Sequence, residues 1–229
     1  MRSGTTTFNM SASALIDSAL RKTGRFGIAD EIPASDRQNC LQSLNTMIKA
    51  MMVNQKPLWC IQRLAIPMVN GQSAYNLSVA SGSTRPLRVL FAFIRDTGSN
   101  DNELTMVSRD DFSRLGNKTG KGQPNQAYYD PQFELGTLHL YNVPFDASDI
   151  LYVDIQRQVQ DVNLLTENLD FPQEAIHMLS WNLASEVAIE YNVSAESYSI
   201  IEAKAMASYR SFFDSDRETV STFFSPAQS

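Results

Sequence analysis

Apolar residues recur at helical spacing near both ends of the chain and in strand-like runs between them. Over residues 11–23, Ala12, Leu15, Ile16, Ala19 and Leu20 share one stripe, predicting a helix that Gly24 stops. A second helix is expected from Ser35, whose hydroxyl would cap the first turn while Gln38 reaches back. Its stripe is Leu41, Leu44, Ile48 and Met51, thickened by Cys40, Met47 and Met52, and Pro57 ends it. The two helices read as a hairpin.

From Leu58 the period changes. Residues 59–69 and 73–77 flank Asn70-Gly71, the pairing that favours a tight β-hairpin. Residues 88–95 form an apolar run fit for a well-buried strand, and residues 103–106 alternate as a half-buried one. Residues 137–143 and 150–159 are expected to pair around a turn holding Pro144, with Leu151, Val153 and Ile155 facing one way. At least five strands suit a twisted sheet or small sandwich. Helices return at Asp170-Phe171-Pro172, where an acidic cap and a first-turn proline suit a start. One stripe then holds Ile176, Leu179, Leu183 and Val187. After Ser194, a capping residue, the next holds Tyr198, Ile201, Ala205, Tyr209 and Phe212. Past Asp216 the periodicity dissolves.

The expected class is α+β: a helical domain of residues 1–57 and 170–218, an inserted antiparallel β domain of residues 58–169, and a flexible docking tail of residues 219–229. A hydrophobic content of 43% allows a substantial core. No apolar run approaches the ~20 residues that span a bilayer. Residues 1–10 hold one basic residue and no apolar block, unlike a secretory signal, so folding in the cytoplasm of the producing cell is expected. The net charge of −6 argues against tight nucleic-acid binding, which needs a basic stripe to displace counterions.

Candidate chemistry is sparse. Neither a phosphate loop, a dinucleotide glycine fingerprint nor a paired-cysteine metal motif occurs, so no cofactor or metal is expected. Cys40 and Cys60 fit packed, reduced thiols better than a disulfide framework. Of the two histidines, His139 lies in an alternating run that would turn it to solvent or a partner. His177 lies on a helix, at a surface or interface position. Glu174, Glu186 and Glu190 could supply the paired acids of sugar hydrolysis, though such charges usually form a solvated helix face. The one basic concentration, Arg109, Arg114, Lys118 and Lys121 among glycines, could touch DNA or a neighbouring subunit. It also fits a short helix and a solvated turn. Phe212, Phe213, Phe223 and Phe224 place large apolar groups near a chain end, a pattern suited to docking or to a tail folded back on its own subunit.

The order of these signals resembles the head-to-tail adaptor family of short-tailed phages, the packaged-DNA stabilisation and tail tubular proteins among them. The matching segments begin with Ala19-Leu20-Arg21 and Gly24, then Leu41-Gln42-Ser43-Leu44-Asn45, Leu58-Trp59 and Asn70-Gly71 leading to Tyr75 and Leu77. They continue with Val107-Ser108-Arg109-Asp110-Asp111-Phe112, Gly122-Gln123-Pro124 with Tyr128-Tyr129, and Leu169-Asp170-Phe171-Pro172 leading to Leu183-Ala184. The resemblance implies a structural virion protein without enzymatic chemistry. It would form a homo-oligomeric ring, typically dodecameric, beneath the portal protein at the head-tail junction. There it would help retain packaged DNA, let double-stranded DNA pass, and offer a platform to the downstream tail (nozzle) protein, without membrane contact. It further implies portal docking by the C-terminal segment, with Phe212, Phe213, Phe223 and Phe224 as the expected contacts. An acidic channel would suit DNA passage. The alternative reading is a tail-associated peptidoglycan hydrolase.

Overall fold

The opening helical stripe is realised as α1 (Ala12–Lys22), whose Ala12, Leu15, Ile16, Ala19 and Leu20 are fully buried. Ser11 caps it by accepting from Ala14 N at 3.3 Å. The computed structural model describes residues 8–82, 84–145 and 147–216. It has the α+β class expected, in two compact units: residues before and including Leu58 with those from Val159 onward, and residues 59–158.

In the first unit α2 (Ala34–Asn54) buries Cys40, Leu41, Leu44, Met47, Ile48 and Met52, while Met51 is only half-buried. Ser35 does not cap it. Pro33 holds the cap position, with its carbonyl accepting from Asp36 N and Arg37 N at 3.1 and 3.2 Å, and Ser35 is drawn into the first turn. A two-pronged ion pair joins the two helices, Arg37 to Asp17 at 2.7 and 2.9 Å. Later in the chain α5 (Ala175–Val187) packs against α1, α2 and α6 (Ala195–Ser215). α5 begins five residues after Asp170, whose carboxylate instead accepts from Gln160 N at 3.1 Å. Ser194 does cap α6, accepting from Ser197 N at 3.3 Å.

Residues 159–169 belong with these helices. Ala12 N and Ser13 N donate to Glu167 O and Leu165 O, both at 2.8 Å, extending the start of α1 into a short backbone pairing. One turn apart on α2, Asn45 and Lys49 grip the same segment. Asn45 Nδ2 donates to Val162 O at 2.8 Å, and Val162 N donates to Asn45 Oδ1 at 3.0 Å. Lys49 Nζ donates to Val159 O at 2.8 Å and meets Asp161 at 2.7 Å.

The second unit is a two-sheet sandwich. Its strands are β1 (Ile61–Pro67), β2 (Ala74–Asn76), β3 (Arg88–Arg95), β4 (Asp101–Glu103), β5 (Thr105–Met106), β6 (Gln126–Pro131), β7 (Gly136–Tyr141) and β8 (Ile150–Gln156). One sheet runs β1-β8-β3-β4, all antiparallel; the other runs β2-β7-β6-β5, with β5 parallel to β6. Leu64, Ala92, Ile94, Leu151, Val153 and Ile155 of the first sheet share one buried cluster with Tyr75, Ala127, Leu138 and Leu140 of the second. Two short helices accompany the sheets, α3 (Leu77–Ser81) and α4 (Arg109–Arg114).

Two expected pairings are overturned, and one expected strand is divided. β1 and β2 do not form a hairpin, because β1 gains a seven-residue ladder with β8 while β2 joins β7. Asn70-Gly71 is instead a corner between sheets, with Gly71 at φ +82° and Gln72 N donating to Val69 O at 3.0 Å. β7 and β8 likewise lie in different sheets. The alternating run at residues 103–106 is two strands, β4 and β5, divided at buried Leu104, which crosses from one sheet to the other. Leu77 opens α3 rather than ending a strand, since Asn76 Oδ1 accepts from Ser78 N and Val79 N. β3 buries Ala92 and Ile94 in the core and also Phe93 on the outer face, while Phe91 on that outer face is exposed beyond a bulge at Leu90.

Tyr129 on β6 places its hydroxyl inside the sandwich, donating to Pro86 O at 2.7 Å. Burial pushes its pKa up to about 12 from the usual 10.0, with Arg85 opposing. The unfolded chain therefore ionises this phenol first. The stabilisation is complete below pH 10 and is lost as pH rises towards 12. A Tyr129→Phe variant should start less stable at neutral pH, having lost the hydrogen bond, and should decline less steeply than wild type across that window. Unfolding midpoints measured against pH check this; parallel slopes would contradict it.

Candidate interface surfaces

The basic stretch is built on α4. Ser108 caps this helix, its Oγ accepting from Asp111 N at 3.1 Å and donating to Asp111 Oδ2 at 2.6 Å. Phe112 fastens α4 to the outer face of the second sheet, with ring centres 5.7 Å from Tyr128 and 6.1 Å from His139. Tyr128 and His139 stack at 6.0 Å and 13°. His139 is therefore half-buried under α4 rather than turned to solvent or a partner. The alternating run placed it on the outer face; only the helix arriving from elsewhere in the chain covers it.

The four basic residues do not converge. Arg109, whose side chain is 70% exposed, leans to Asp130 at 3.8 Å. Lys118 closes the end of α4 by donating to Ser113 O and Leu115 O at 2.8 and 3.1 Å, where cations suit a helix C-terminus. Lys121 donates to Asn70 at the corner between sheets, at 3.4 Å. Arg114 is exposed and, among the described residues, makes no ion pair. Asp110 and Asp111 sit on the same helix, so positive charge is not concentrated there.

Phe212 and Phe213 are each 8% exposed and belong to the core of the helical unit, which corrects their reading as exposed docking groups. Phe213 packs at 4.7 Å on Tyr209 and 5.1 Å on Phe212. Gln55 donates to Tyr209 Oη at 2.8 Å and Leu58 N to Asp216 at 2.9 Å, tying the end of α6 to the end of α2. The signal was legible, since Phe212 continues the stripe of Ile201 and Ala205. Phe223 and Phe224 lie outside the described residues.

The other candidates are dispersed. Glu174, Glu186 and Glu190 are all exposed on the helical unit. His177 is exposed, edge-on to Trp181 at 6.5 Å. Cys40 and Cys60 are buried and form no disulfide; burial raises the Cys40 pKa, and Tyr191 Oη lies 3.9 Å from its sulfur. Among the described residues no cluster of three His, Cys, Asp or Glu could hold a metal, and no helix is long and apolar enough to cross a membrane. A cavity of about 230 Å³ opens among loops of the sandwich, lined by Met68, Asp96, Thr97, Pro124, Phe145 and Asp149 among others.

The outer face of the first sheet was missed altogether. Arg63 and Arg95 grip Asp154 and Asp101 in two-pronged pairs at 2.6–2.8 Å. Their guanidinium groups lie over Phe93 at 5.4 and 5.6 Å, and Arg95 also over Tyr152 at 4.9 Å. Phe93 and Tyr152 stack at 5.0 Å. Alternation in β1, β3 and β8 could have assigned these residues to outer faces, but their convergence needs the strand order.

Several segments that carried the resemblance now have physical roles. Asn45 clamps the segment after the sandwich, Asn70-Gly71 turns between sheets, and Ser108 with Phe112 caps and anchors α4. The curated proteins contain no match to the chain. The model of the SU10 adaptor protein family matches residues 10–227, nearly the whole length. The chain therefore belongs to the SU10 adaptor protein family, in agreement with the phage head-to-tail adaptor expected from its motifs.

Proposed function

We propose that this adaptor forms a homo-oligomeric ring, dodecameric as in the proteins it resembles, beneath the portal protein at the head-tail junction. It would help retain packaged double-stranded DNA, let the genome pass on ejection, and present the platform to which the downstream tail (nozzle) protein attaches. Assembly would take place in the host cytoplasm. The observation that carries this reading is the family match over residues 10–227. The dispersal of titratable groups supports a contact-making role, because general acid-base chemistry needs them within hydrogen-bond reach of one reacting group. The charge of −6 suits a channel wall to which passing DNA does not stick.

Portal docking is assigned to the tail through Phe223 and Phe224, with Phe212 and Phe213 fixing the helix that delivers it. Arg109, Arg114 and Lys121 are the proposed contacts to DNA or a neighbouring subunit. Lys118 serves α4 first. Truncation before Thr219 should leave the thermal midpoint unchanged and abolish binding to purified portal rings, read as the mass of the complex. A truncated chain that still adds its full mass to the portal would refute the assignment.

A further inference from the structure

We infer that the sandwich carries two complementary sheet edges by which successive copies join head to tail, β1 of one copy pairing with β4 of the next. This rests on the ring reading above and names the surface that would build it. The first sheet has four strands in the order β1-β8-β3-β4, each antiparallel to its neighbour. Its two edge strands therefore run in opposite directions. A second copy placed edge to edge continues the same antiparallel alternation, and the contact is heterologous, the kind that closes into rings.

The backbone of both edges is available. Arg157 N donates to Cys60 O at 2.9 Å and Met68 N to Asp149 O at 3.1 Å, which fixes the parity of β1. Gln62, Leu64 and Ile66 bond inward to β8, so Ile61, Arg63 and Ala65 aim their N–H and C=O groups outward. All three residues are exposed, although α3 packs nearby. On β4, Leu104 N donates to Ala92 O at 2.9 Å and Asn102 pairs with Ile94, leaving Asp101 and Glu103 outward. Soluble proteins usually blunt a long edge with a mid-strand proline, a lysine or a bulge. β1 carries a single charge, Arg63, with α3 packed nearby; its only proline is the terminal Pro67, and the bulge of this sheet lies in β3.

Charge favours the pairing. Arg63 lies on the outer face of β1, and Asp101 and Glu103 on the outer face of β4. Glu103 makes no ion pair among the described residues. Two antiparallel registers pair both outward residues of β4 without using Pro67. One sets Arg63 of the neighbour opposite Glu103, the other opposite Asp101. Either juxtaposes opposite charges across strands, the favourable arrangement.

The test uses the full chain assembled on purified portal rings. Arg63→Pro removes an outward N–H that both registers use and the inward ladder does not, so the fold should persist while ring assembly falls about tenfold or more. Double variants R63C/E103C and R63C/D101C should, in one of the two pairs, give a ladder of disulfide-linked oligomers on oxidation, since facing Cβ atoms lie ~5 Å apart. The single-cysteine variants should not. Rings that form normally with Arg63→Pro, or rings that yield no ladder from either double variant, overturn the edge pairing and leave the ring reading intact. Wild-type chain that adds only single copies to the portal sinks both. Should Arg63→Pro fail to fold, the cysteine ladder alone decides.

Discussion

Replacing Asn45 with alanine is expected to destabilise the helical unit by about 2–4 kcal/mol, as two backbone groups lose their partner at once. The Asn45 amide imitates a strand, donating to Val162 O and accepting from Val162 N at 2.8 and 3.0 Å. Val162 itself is buried, so neither orphaned group gains free access to water. Asp at this position should be almost as harmful, because a carboxylate would face the Val162 carbonyl where a donor is required. Gln should recover little, its longer stem misplacing the amide. Urea unfolding with an unchanged m-value measures the difference. A loss below about 0.5 kcal/mol for Asn45→Ala would show that the clamp is replaced by water.

The second large effect is expected at Gly136. A Cβ built there would stand 2.5 Å from the Tyr129 hydroxyl and 3.0 Å from Pro86 Cδ. Gly136→Ala must therefore displace the Tyr129 ring, with loss of its hydrogen bond to Pro86 and disturbance of β7 beside it. Overpacking and a lost buried hydrogen bond together should remove about 2–4 kcal/mol. The double variant with Tyr129→Phe should be less damaged than the sum of the singles, since the phenylalanine lacks the oxygen that clashes. That coupling, measured by a double-mutant cycle, separates a specific collision from general strain on the strand. Strict additivity would place the damage elsewhere.

These two positions bear directly on how much of the molecule was legible beforehand. The Asn45 segment was conspicuous as a motif, yet its partner lies 117 positions away. Gly136 drew no attention, because its requirement comes from a tyrosine on the neighbouring strand and a proline from another loop. Phe212 shows the opposite case: helical spacing alone placed it on a buried stripe, and its proximity to the chain end misled the reading toward docking. In the basic stretch, residue types suggested a common site, whereas Lys118 is drawn to helix carbonyls and Lys121 to Asn70.

Local periodicity, acting through the burial of apolar stripes, together with capping residues, was enough to determine the helices at either end, the Ser194 cap, the inward faces of β7 and β8, and the α+β class. Those features depend on neighbours three or four residues apart along a helix, or two along a strand. Tertiary structure alone decided which strands pair. The Asn70-Gly71 turn was compatible with a hairpin, but the seven-residue ladder between β1 and β8 satisfies more backbone groups than a short β1–β2 pairing would. That choice assigned β1 to one sheet and β2 to the other, and left β1 and β4 as opposite edges of the same sheet. A strand exposes identical donors and acceptors whichever partner it takes, so its own residues do not specify the partner. The competition among all eight strands for one shared core does.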